Sequence, residues 1–359
     1  MSIKNISILG LGLIGGSIAK AIKNSRLDVE ISAFDKPDIS ALAHEDKVID
    51  KILSEPKEAL SSDLIFLCMP VDYSLKLFKE IAPLLKKEGI ITDVCGVKGI
   101  FQDTWNKLES EGTYIGGHPM TGKEKGGYIN SDPLLFENSI YILTECNYDR
   151  ITSLGFDTII TALGARVTCI NAELHDRVVA NVSHMPQLLS VTLVNASVGR
   201  NSQRNYTDFA AGGFRDMTRI ASSDFKIWEP VIKNNKTEIL HALDHMTKEL
   251  DEIKRLVADD DFSTLEKKFE EARVKRDEIP QNTKGFLTPL FDIYVFVKDE
   301  PGVISKISSA LSEHNLNIKD IELLKIREGS GGTFRLSFES AEDAQKAHEY
   351  LRKVGYETK

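Results

Sequence analysis

Short hydrophobic runs alternate with amphipathic stretches over the first half of the chain. The runs at residues 6–9, 63–70 and 90–94 are hydrophobic at nearly every position. Such runs are typical of parallel strands that are buried on both faces, with helices between them. The pattern predicts a doubly wound α/β domain over residues 1–171.

After residue 171 the hydrophobic spacing becomes helical and remains so to residue 284. Its clearest part is a stripe at alternating four- and three-residue steps, formed by Ile239, Leu243, Met246, Leu250, Ile253 and Val257. A stripe of this kind packs a helix lengthwise against other helices. It predicts an all-α domain over residues 172–284, whose long helix closes either an intramolecular bundle or a subunit interface.

A different pattern begins after a linker-like segment at residues 279–285. Period-two runs at 291–297, 318–326 and 333–338 are combined with helical stretches that begin near residues 303 and 340. This order predicts a small α+β domain of ferredoxin-like topology over residues 285–359. It carries no evident catalytic constellation, which indicates a regulatory or assembly role.

A glycine-rich turn follows the first predicted strand, with the sequence Gly10-Leu11-Gly12-Leu13-Ile14-Gly15. Glycines at this spacing allow a tight turn, close approach of a pyrophosphate, and close packing of helix on strand. A second predicted strand ends at Asp35, where a carboxylate can accept hydrogen bonds from a ribose. The three features together predict a Rossmann-type site for NAD, since the carboxylate repels the 2′-phosphate of NADP.

Other loops also follow predicted strands of this sheet. Met69 and Pro70 end the third run, and His118 lies between Gly117 and Pro119 in a predicted loop. Ligands of open α/β sheets bind at the carboxyl ends of the strands, so these loops are expected to meet at one crevice. Histidine is the side chain best suited to take up a proton near neutral pH. The alternative for His118 is a turn residue held by a backbone carbonyl.

Two arginines in the helical domain could bind an anion. Arg215 and Arg219 are one turn apart in a helix predicted over residues 209–221, and two guanidinium groups on one face can hold a carboxylate. The alternative is an ordinary surface pair between Asp216 and Arg219. His241 and His245 have helical metal-ligand spacing but no third ligand, so they are expected to be solvated, and no metal site is predicted.

Composition and charge narrow the classes of partner. The 359 residues include 54 acidic and 45 basic side chains, a net charge of −9, which disfavours binding to nucleic acid or an anionic membrane surface. No hydrophobic run is long enough to span a membrane. The four cysteines lie far apart, which fits reduced thiols in a cytoplasmic protein.

With these motifs, the chain resembles the prephenate dehydrogenases, with a C-terminal part that is similar to ACT domains. The resemblance rests on the glycine turn, on the segment from Asp93 to Lys98, on Gly-Gly-His-Pro-Met at 116–120, on the segment 175–186 and on Phe-Arg-Asp-Met-Thr-Arg at 214–219. It implies NAD-dependent oxidative decarboxylation of prephenate in tyrosine biosynthesis, by a homodimer. His118 would accept the proton of the ring hydroxyl group.

The resemblance also implies roles for other residues. Arg219, with Arg215, would bind a substrate carboxylate, while Glu124, Ser183 and His184 would shape the substrate pocket. In the ACT-like domain, tyrosine or phenylalanine would bind as an effector between paired domains, at positions matching Asp299, Pro301, Gly302, Asn317 and Ile318. The alternative for that domain is a purely structural role in dimerisation.

Two positions depart from the family pattern. Gly96 stands where many relatives have a serine near the histidine, and Gln187 stands where some have a histidine. Two other functions remain open on the sequence: a related arogenate or β-hydroxyacid dehydrogenase, and a non-catalytic sensor that binds a dinucleotide or an amino acid without turnover.

Overall fold

The computed structural model describes residues 3–25, 27–123, 125–144, 147–197, 206–278, 290–327 and 331–359. The chain divides into two compact units, Met1–Lys268 and Phe269–Lys359. Within the described ranges, no helix has both the length and the hydrophobicity needed to cross a bilayer.

The first unit begins with a six-stranded parallel sheet, as the alternating hydrophobic runs predict. Its strands are β1 (Asn5–Leu9), β2 (Glu30–Phe34), β3 (Lys51–Ile52), β4 (Leu64–Leu67), β5 (Ile90–Asp93) and β6 (Thr113–Tyr114), in the spatial order β3-β2-β1-β4-β5-β6. Between them lie α1 (Leu13–Asn24), α2 (Pro37–Glu45), α3 (Val71–Ile81) and α4 (Gly99–Trp105). The order reverses direction between β1 and β4, and ligands of such sheets bind at this switch point.

Both faces of this sheet are buried. Ile6, Ile8 and Phe66 face one hydrophobic core, and Leu9, Ile65 and Leu67 face a second core on the other side. Alternate residues of the same strands therefore enter different cores, which explains why the strands read as continuous hydrophobic runs.

A second, three-stranded sheet continues the unit and corrects one expectation. It contains β7 (Gly117–Pro119), β8 (Ile140–Leu143) and β9 (Arg166–Cys169), with α5 (Tyr148–Ser153) and α6 (Phe156–Ala162) between the last two. His118 is thus in a strand and pairs with Ile142, so its prediction as a loop residue is wrong. Ladder pairing holds its backbone more firmly than a glycine-flanked loop would.

The rest of the first unit is helical. It comprises α7 (Ala172–Val179), a π-helical turn at Ala180–His184, α8 (Met185–Ser197), α9 (Gly212–Thr218), α10 (Phe225–Asn234) and α11 (Lys236–Ala258). The boundary between the units falls within α12 (Phe262–Asp277), after Lys268. The helix predicted over 209–221 is shorter than expected, because α9 ends at Thr218 and Arg219 begins a 3₁₀ turn. The stripe on α11 is partly exposed: Ile239 is buried and Leu243 and Met246 are half-buried, while Leu250, Ile253 and Val257 are exposed.

The second unit holds the predicted ferredoxin-like arrangement. It contains β10 (Phe291–Val297), α13 (Val303–Ser312), β11 (Asp320–Arg327), β12 (Gly331–Phe338), α14 (Ala341–Lys353) and β13 (Glu357–Thr358). The antiparallel sheet has the order β11-β12-β10-β13. Its own hydrophobic core includes Val295, Leu311, Leu336 and Leu351.

Candidate active site

The glycine turn after β1 has the geometry of a dinucleotide cradle. Gly10 has a φ of +105°, and a Cβ there would lie 2.8 Å from the Cys68 carbonyl. A Cβ on Gly15 would lie 1.9 Å from the Gly10 oxygen, whereas a Cβ on Gly12 would meet nothing within 4 Å. Gly10 and Gly15 are therefore required by packing, and Gly12 leaves open space where a pyrophosphate can approach the start of α1.

The neighbouring strand ends complete this cradle. Asp35 follows β2, and its carboxylate accepts hydrogen bonds from the backbone nitrogens of Leu11, at 2.5 Å, and Lys36, at 2.6 Å. These bonds orient the carboxylate beside the glycine turn. Met69, at the end of β4, is close enough that a Cβ on Gly10 would lie 2.9 Å from its Cγ, and Pro70 precedes α3. These residues fit the adenosine and pyrophosphate parts of NAD.

His118 belongs to a chain of three hydrogen-bonded side chains. Its Nδ1 lies 2.8 Å from Nε2 of His175, and Nδ1 of His175 lies 2.8 Å from Oδ1 of Asp176. The Asp176 carboxylate also accepts hydrogen bonds from the backbone nitrogens of Lys98, at 2.7 Å, and Gly99, at 2.8 Å. We call Asp176, His175 and His118 the relay. It brings α7 of the helical region against β7 and the loop after β5.

The relay fixes the tautomer of His118. A carboxylate only accepts hydrogen bonds, so His175 carries its hydrogen on Nδ1 and offers the lone pair of Nε2. His118 must then donate from Nδ1, and its own Nε2 keeps a lone pair. An imidazole in this state is ready to take a proton from a substrate hydroxyl group.

The surroundings keep the relay histidines neutral. The pKa of His118 is well below its usual range, first because its ring is withdrawn from water and then because His175, Lys98 and His184 would oppose a positive charge. Burial also lowers the pKa of His175, although its hydrogen bond to Asp176 acts in the opposite direction. His118 in this arrangement is a general base that remains neutral below pH 6.5.

A buried ion pair supports the loop after β5. Nζ of Lys98, which is fully buried, pairs with Asp93 and donates to the carbonyl oxygens of Cys95, at 2.8 Å, and Val97, at 3.1 Å. Tyr114 donates its hydroxyl hydrogen to Asp93 at 2.8 Å. Every hydrogen of the ammonium group is therefore used, so Lys98 shapes the loop.

Gly96 lies in this loop beside the imidazole of His118. A Cβ on Gly96 would lie 3.8 Å from both Cε1 and Nε2 of His118, an ordinary contact distance. The position has room for a side chain, and its backbone lies beside the reactive nitrogen. The imidazole is oriented from its other side, by His175.

The remaining sequence candidates lie in several places. His184 is 2% exposed and packs edge-on against the ring of Trp228, with the centroids 6.0 Å apart, and Ser183 is half-buried. Arg215 and Arg219 are exposed, on α9 and the turn after it. Glu124 lies outside the described residues.

Gln187 holds the segment that carries Arg219. Its side chain is buried in α8 and donates to the carbonyl oxygen of Ile220 at 2.9 Å. A hydrogen bond from a buried amide ties this turn to α8. Gln187 thus has a structural role in the turn that carries Arg219.

The relay partners were missed as site residues by the sequence reasoning. A signal existed, because His175 and Asp176 lie in the segment 175–186 on which the family resemblance rests, as Asp93 and Lys98 lie in the segment 93–98. Pairing His175 with His118 across 57 positions needs the fold. Asn235 gave no comparable signal.

In the second unit, two of the five predicted effector residues line a cavity of about 420 Å³. Asn317 and Ile318 border it together with Ser308, Ser312, Asn315 and Leu316, near the end of α13. Asp299, Pro301 and Gly302 precede the beginning of the same helix, where Gly302 has a φ of +84°. The two groups of predicted residues thus lie at opposite ends of α13.

Three family models match successive parts of the chain. Residues 18–168 match the model of the prephenate dehydrogenase nucleotide-binding domain, residues 171–271 match the prephenate dehydrogenase dimerization domain, and residues 291–354 match the ACT domain.

Similar full-length proteins are also known. A prephenate dehydrogenase of Lactococcus lactis subsp. cremoris is 36% identical over 98% of both chains. One of Bacillus subtilis is 35% identical over 98% of this chain and 97% of its own. The crystal structure of the A. aeolicus prephenate dehydrogenase with hydroxyphenyl propionate and NAD+ is 28% identical, with a TM-score of 0.69, and covers 78% of this chain and 99% of its own.

Proposed function

The chain belongs to the prephenate dehydrogenase family, and from this we propose that it catalyses the NAD-dependent oxidative decarboxylation of prephenate to 4-hydroxyphenylpyruvate, for tyrosine biosynthesis. The observation that carries the proposal is the relay, which leaves Nε2 of His118 as a proton acceptor at the cofactor edge of the sheet.

The cofactor has a consistent place in this reaction. Gly10, Gly12 and Gly15, with Leu13 and Ile14 at the start of α1, would hold the pyrophosphate of NAD, and Asp35 would bind its adenosine ribose. Met69 and Pro70 would line the same cleft. When bound, NAD accepts the hydride that leaves the carbinol carbon of the substrate.

His118 then has two proton transfers to perform. Its Nε2 takes the proton of the ring hydroxyl group as the hydride leaves, which forms a carbonyl group. Loss of the ring carboxylate as carbon dioxide sends an electron pair into the ring, and that carbonyl oxygen becomes the phenolic oxygen. This oxygen needs one proton, which His118 returns. The reaction therefore releases no net proton, and His118 ends in the neutral state in which it began.

Substrate binding is assigned to groups with complementary charge or shape. We propose that Arg219, supported by Arg215, binds a carboxylate of prephenate, because an exposed guanidinium can form two parallel hydrogen bonds to it. Ser183, His184 and Glu124 are proposed to shape the pocket. The family resemblance supports these roles, and the substitution of Arg219 described below tests the anchor.

The domains have separate proposed tasks. We assign cofactor binding to residues 1–171, dimerisation and substrate binding to residues 172–284, and regulation to residues 285–359. The exposed hydrophobic residues on α11 support a homodimer formed through the helical region. The cavity near Asn317 supports binding of tyrosine or phenylalanine, and the scattered cysteines support a cytoplasmic enzyme.

Absorbance of the reduced nicotinamide tests the proposal directly. The purified chain is mixed with NAD and with prephenate, arogenate or no substrate, and formation of the reduced cofactor is followed. We expect turnover with prephenate, together with release of carbon dioxide. A higher rate with arogenate would show that arogenate is the preferred substrate. No formation of reduced cofactor with either substrate would favour a non-catalytic sensor.

A further inference from the structure

The side chain of Asn235 connects two parts of the candidate active site. Asn235 lies between α10 and α11, is 4% exposed, and its Nδ2 is 2.8 Å from the carbonyl oxygen of Asp176. The same nitrogen is 3.2 Å from Nδ1 of His184. An amide nitrogen has two hydrogens, so it can donate one to each of these acceptors.

These contacts determine the tautomer of His184. Because Nδ1 accepts from Asn235, the hydrogen of the neutral ring is on Nε2. The backbone of Gly96 lies near this ring and acts to raise its pKa, as a carbonyl oxygen facing the hydrogen on Nε2 does. Burial lowers the pKa of His184 to about 4, so the ring is neutral at neutral pH, as this arrangement requires.

Both residues contacted by Asn235 lie against the backbone segment 96–99. The carboxylate of Asp176 accepts hydrogen bonds from the nitrogens of Lys98 and Gly99, and the ring of His184 lies near the backbone of Gly96. Gly96 borders Nε2 of His118. Glycine has little conformational preference of its own, so its position next to the reactive nitrogen depends on these external bonds.

We propose that Asn235 is a positioning residue for the reaction: its amide holds His184 and Asp176 together, and through them fixes the segment 96–99 against the proton-accepting nitrogen of His118. The proposal rests on the function of His118 proposed above. It assigns His184 a role through Nδ1, which accepts from the amide of Asn235.

Asn235→Asp tests this with almost no change of side-chain size. A carboxylate cannot donate to the Asp176 carbonyl, and it accepts from Nδ1 of His184, which moves the hydrogen of that ring from Nε2 to Nδ1. We expect kcat to fall about 10- to 100-fold, as small misplacements at a reacting centre do, with KM for NAD unchanged. Asn106→Asp is the matched control, because this exposed side chain accepts from Gln102 through its oxygen, as a carboxylate also can, and lies outside the network; it should keep full activity.

Nitrogen NMR of the imidazoles gives a readout that does not depend on turnover. In the ligand-free wild-type protein, His184 should show a hydrogen on Nε2 at neutral pH, and in Asn235→Asp it should show one on Nδ1. A folded Asn235→Asp protein with wild-type kcat, or a wild-type His184 with its hydrogen on Nδ1, would overturn the proposal. If the wild-type chain has no turnover, the proposed function fails. The position of the hydrogen on His184 in the wild-type spectrum then decides this inference by itself.

Discussion

Nδ1 of His118 and Nε2 of His175 lie 2.8 Å apart, although 57 positions separate the two residues in the chain. One is in a short strand of the dinucleotide-binding region, and the other is in the first helix of the region that follows. The reactive imidazole is therefore oriented by a different part of the chain from the part that carries it. Catalysis should consequently be sensitive to how these two regions are packed.

Replacement of His118 should abolish the chemistry and spare cofactor binding. In His118→Asn, the amide cannot accept a proton at the position of Nε2, so we expect kcat to fall about 10²- to 10⁴-fold, the usual contribution of a general base. The dissociation constant of NAD, measured by fluorescence titration, should stay within about twofold because His118 is outside the glycine turn. His241→Asn, at an exposed histidine, is the control. A His118→Asn enzyme with near-normal kcat would remove His118 from the mechanism.

Asp176 should matter nearly as much, although it is not expected to touch the substrate. In Asp176→Asn, the amide can donate to Nδ1 of His175, which forces the hydrogen of that ring onto Nε2 and removes the acceptor for His118. We expect a fall in kcat of about 10²- to 10⁴-fold, as when an acid that orients a catalytic histidine becomes an amide.

The control for this substitution is Asp251→Asn, an exposed change on α11. Thermal melting separates a positioning defect from unfolding, because Asp176 also accepts two backbone hydrogen bonds. If folded Asp176→Asn showed a normal kcat, the relay would have no role in orienting His118.

The difference between the sequence prediction and the structure at this site has a physical cause. The glycine turn, Asp35 and the hydrophobic strands are local signals, since each depends on residues close together in the chain, and the predicted fold is confirmed. The prediction of a loop at His118 was wrong because Gly117, His118 and Pro119 pair with β8, which lies more than twenty positions later in the chain. Strand pairing at that distance leaves no local periodicity.

The relay and the network of Asn235 were beyond the sequence for a related reason. In a helix, a buried polar residue and an exposed one have the same sequence pattern. Only the partners in the folded chain distinguish them. The hydrogen bonds of His175 and Asp176 run to β7 and to the loop after β5, and these partners are set by packing. The end of α9 at Thr218 also depends on tertiary packing, because Gln187 donates a hydrogen bond to the carbonyl oxygen of Ile220 in the turn that follows.

The pH profile should show activity that persists well below the ordinary pKa of histidine. Neutral His118 is the active form, and protonation inactivates it, so kcat/KM falls as pH drops through its pKa. Burial and the neighbouring His175 and Lys98 lower that pKa well below 6.5. The acid limb of kcat/KM for prephenate, measured with saturating NAD so that it reports the enzyme–NAD complex, should therefore lie below pH 6.5. An acid limb at or above 6.5 would contradict a buried, neutral His118.

Removal of the guanidinium at Arg219 should weaken substrate binding more than it slows the chemical step. We expect Arg219→Ala to raise KM for prephenate about 10- to 100-fold, since a hydrogen bond between charged groups contributes about 1.5–3 kcal/mol. KM for NAD should not change. Arg255→Ala, which removes an exposed arginine paired with Asp259 on α11, is the matched control. An unaltered KM for prephenate in Arg219→Ala would exclude Arg219 as the carboxylate anchor.

Tyrosine inhibition should depend on the second unit and on the cavity beside α13. The ferredoxin-like sheet has its own hydrophobic core, so a chain ending at residue 285 should keep the catalytic residues folded. We expect this truncated chain to retain turnover and to lose inhibition by tyrosine or phenylalanine, measured as the effector concentration that halves the rate.

Asn317→Ala removes an amide from the wall of the cavity and should raise that concentration in the full-length chain. Ser305→Ala changes an exposed residue on the same helix outside the cavity and should leave it unchanged. Inhibition that survives the truncation would mean that tyrosine acts at the active site, where it shares an aromatic ring and a carboxylate with the product. The second unit would then have a purely structural task.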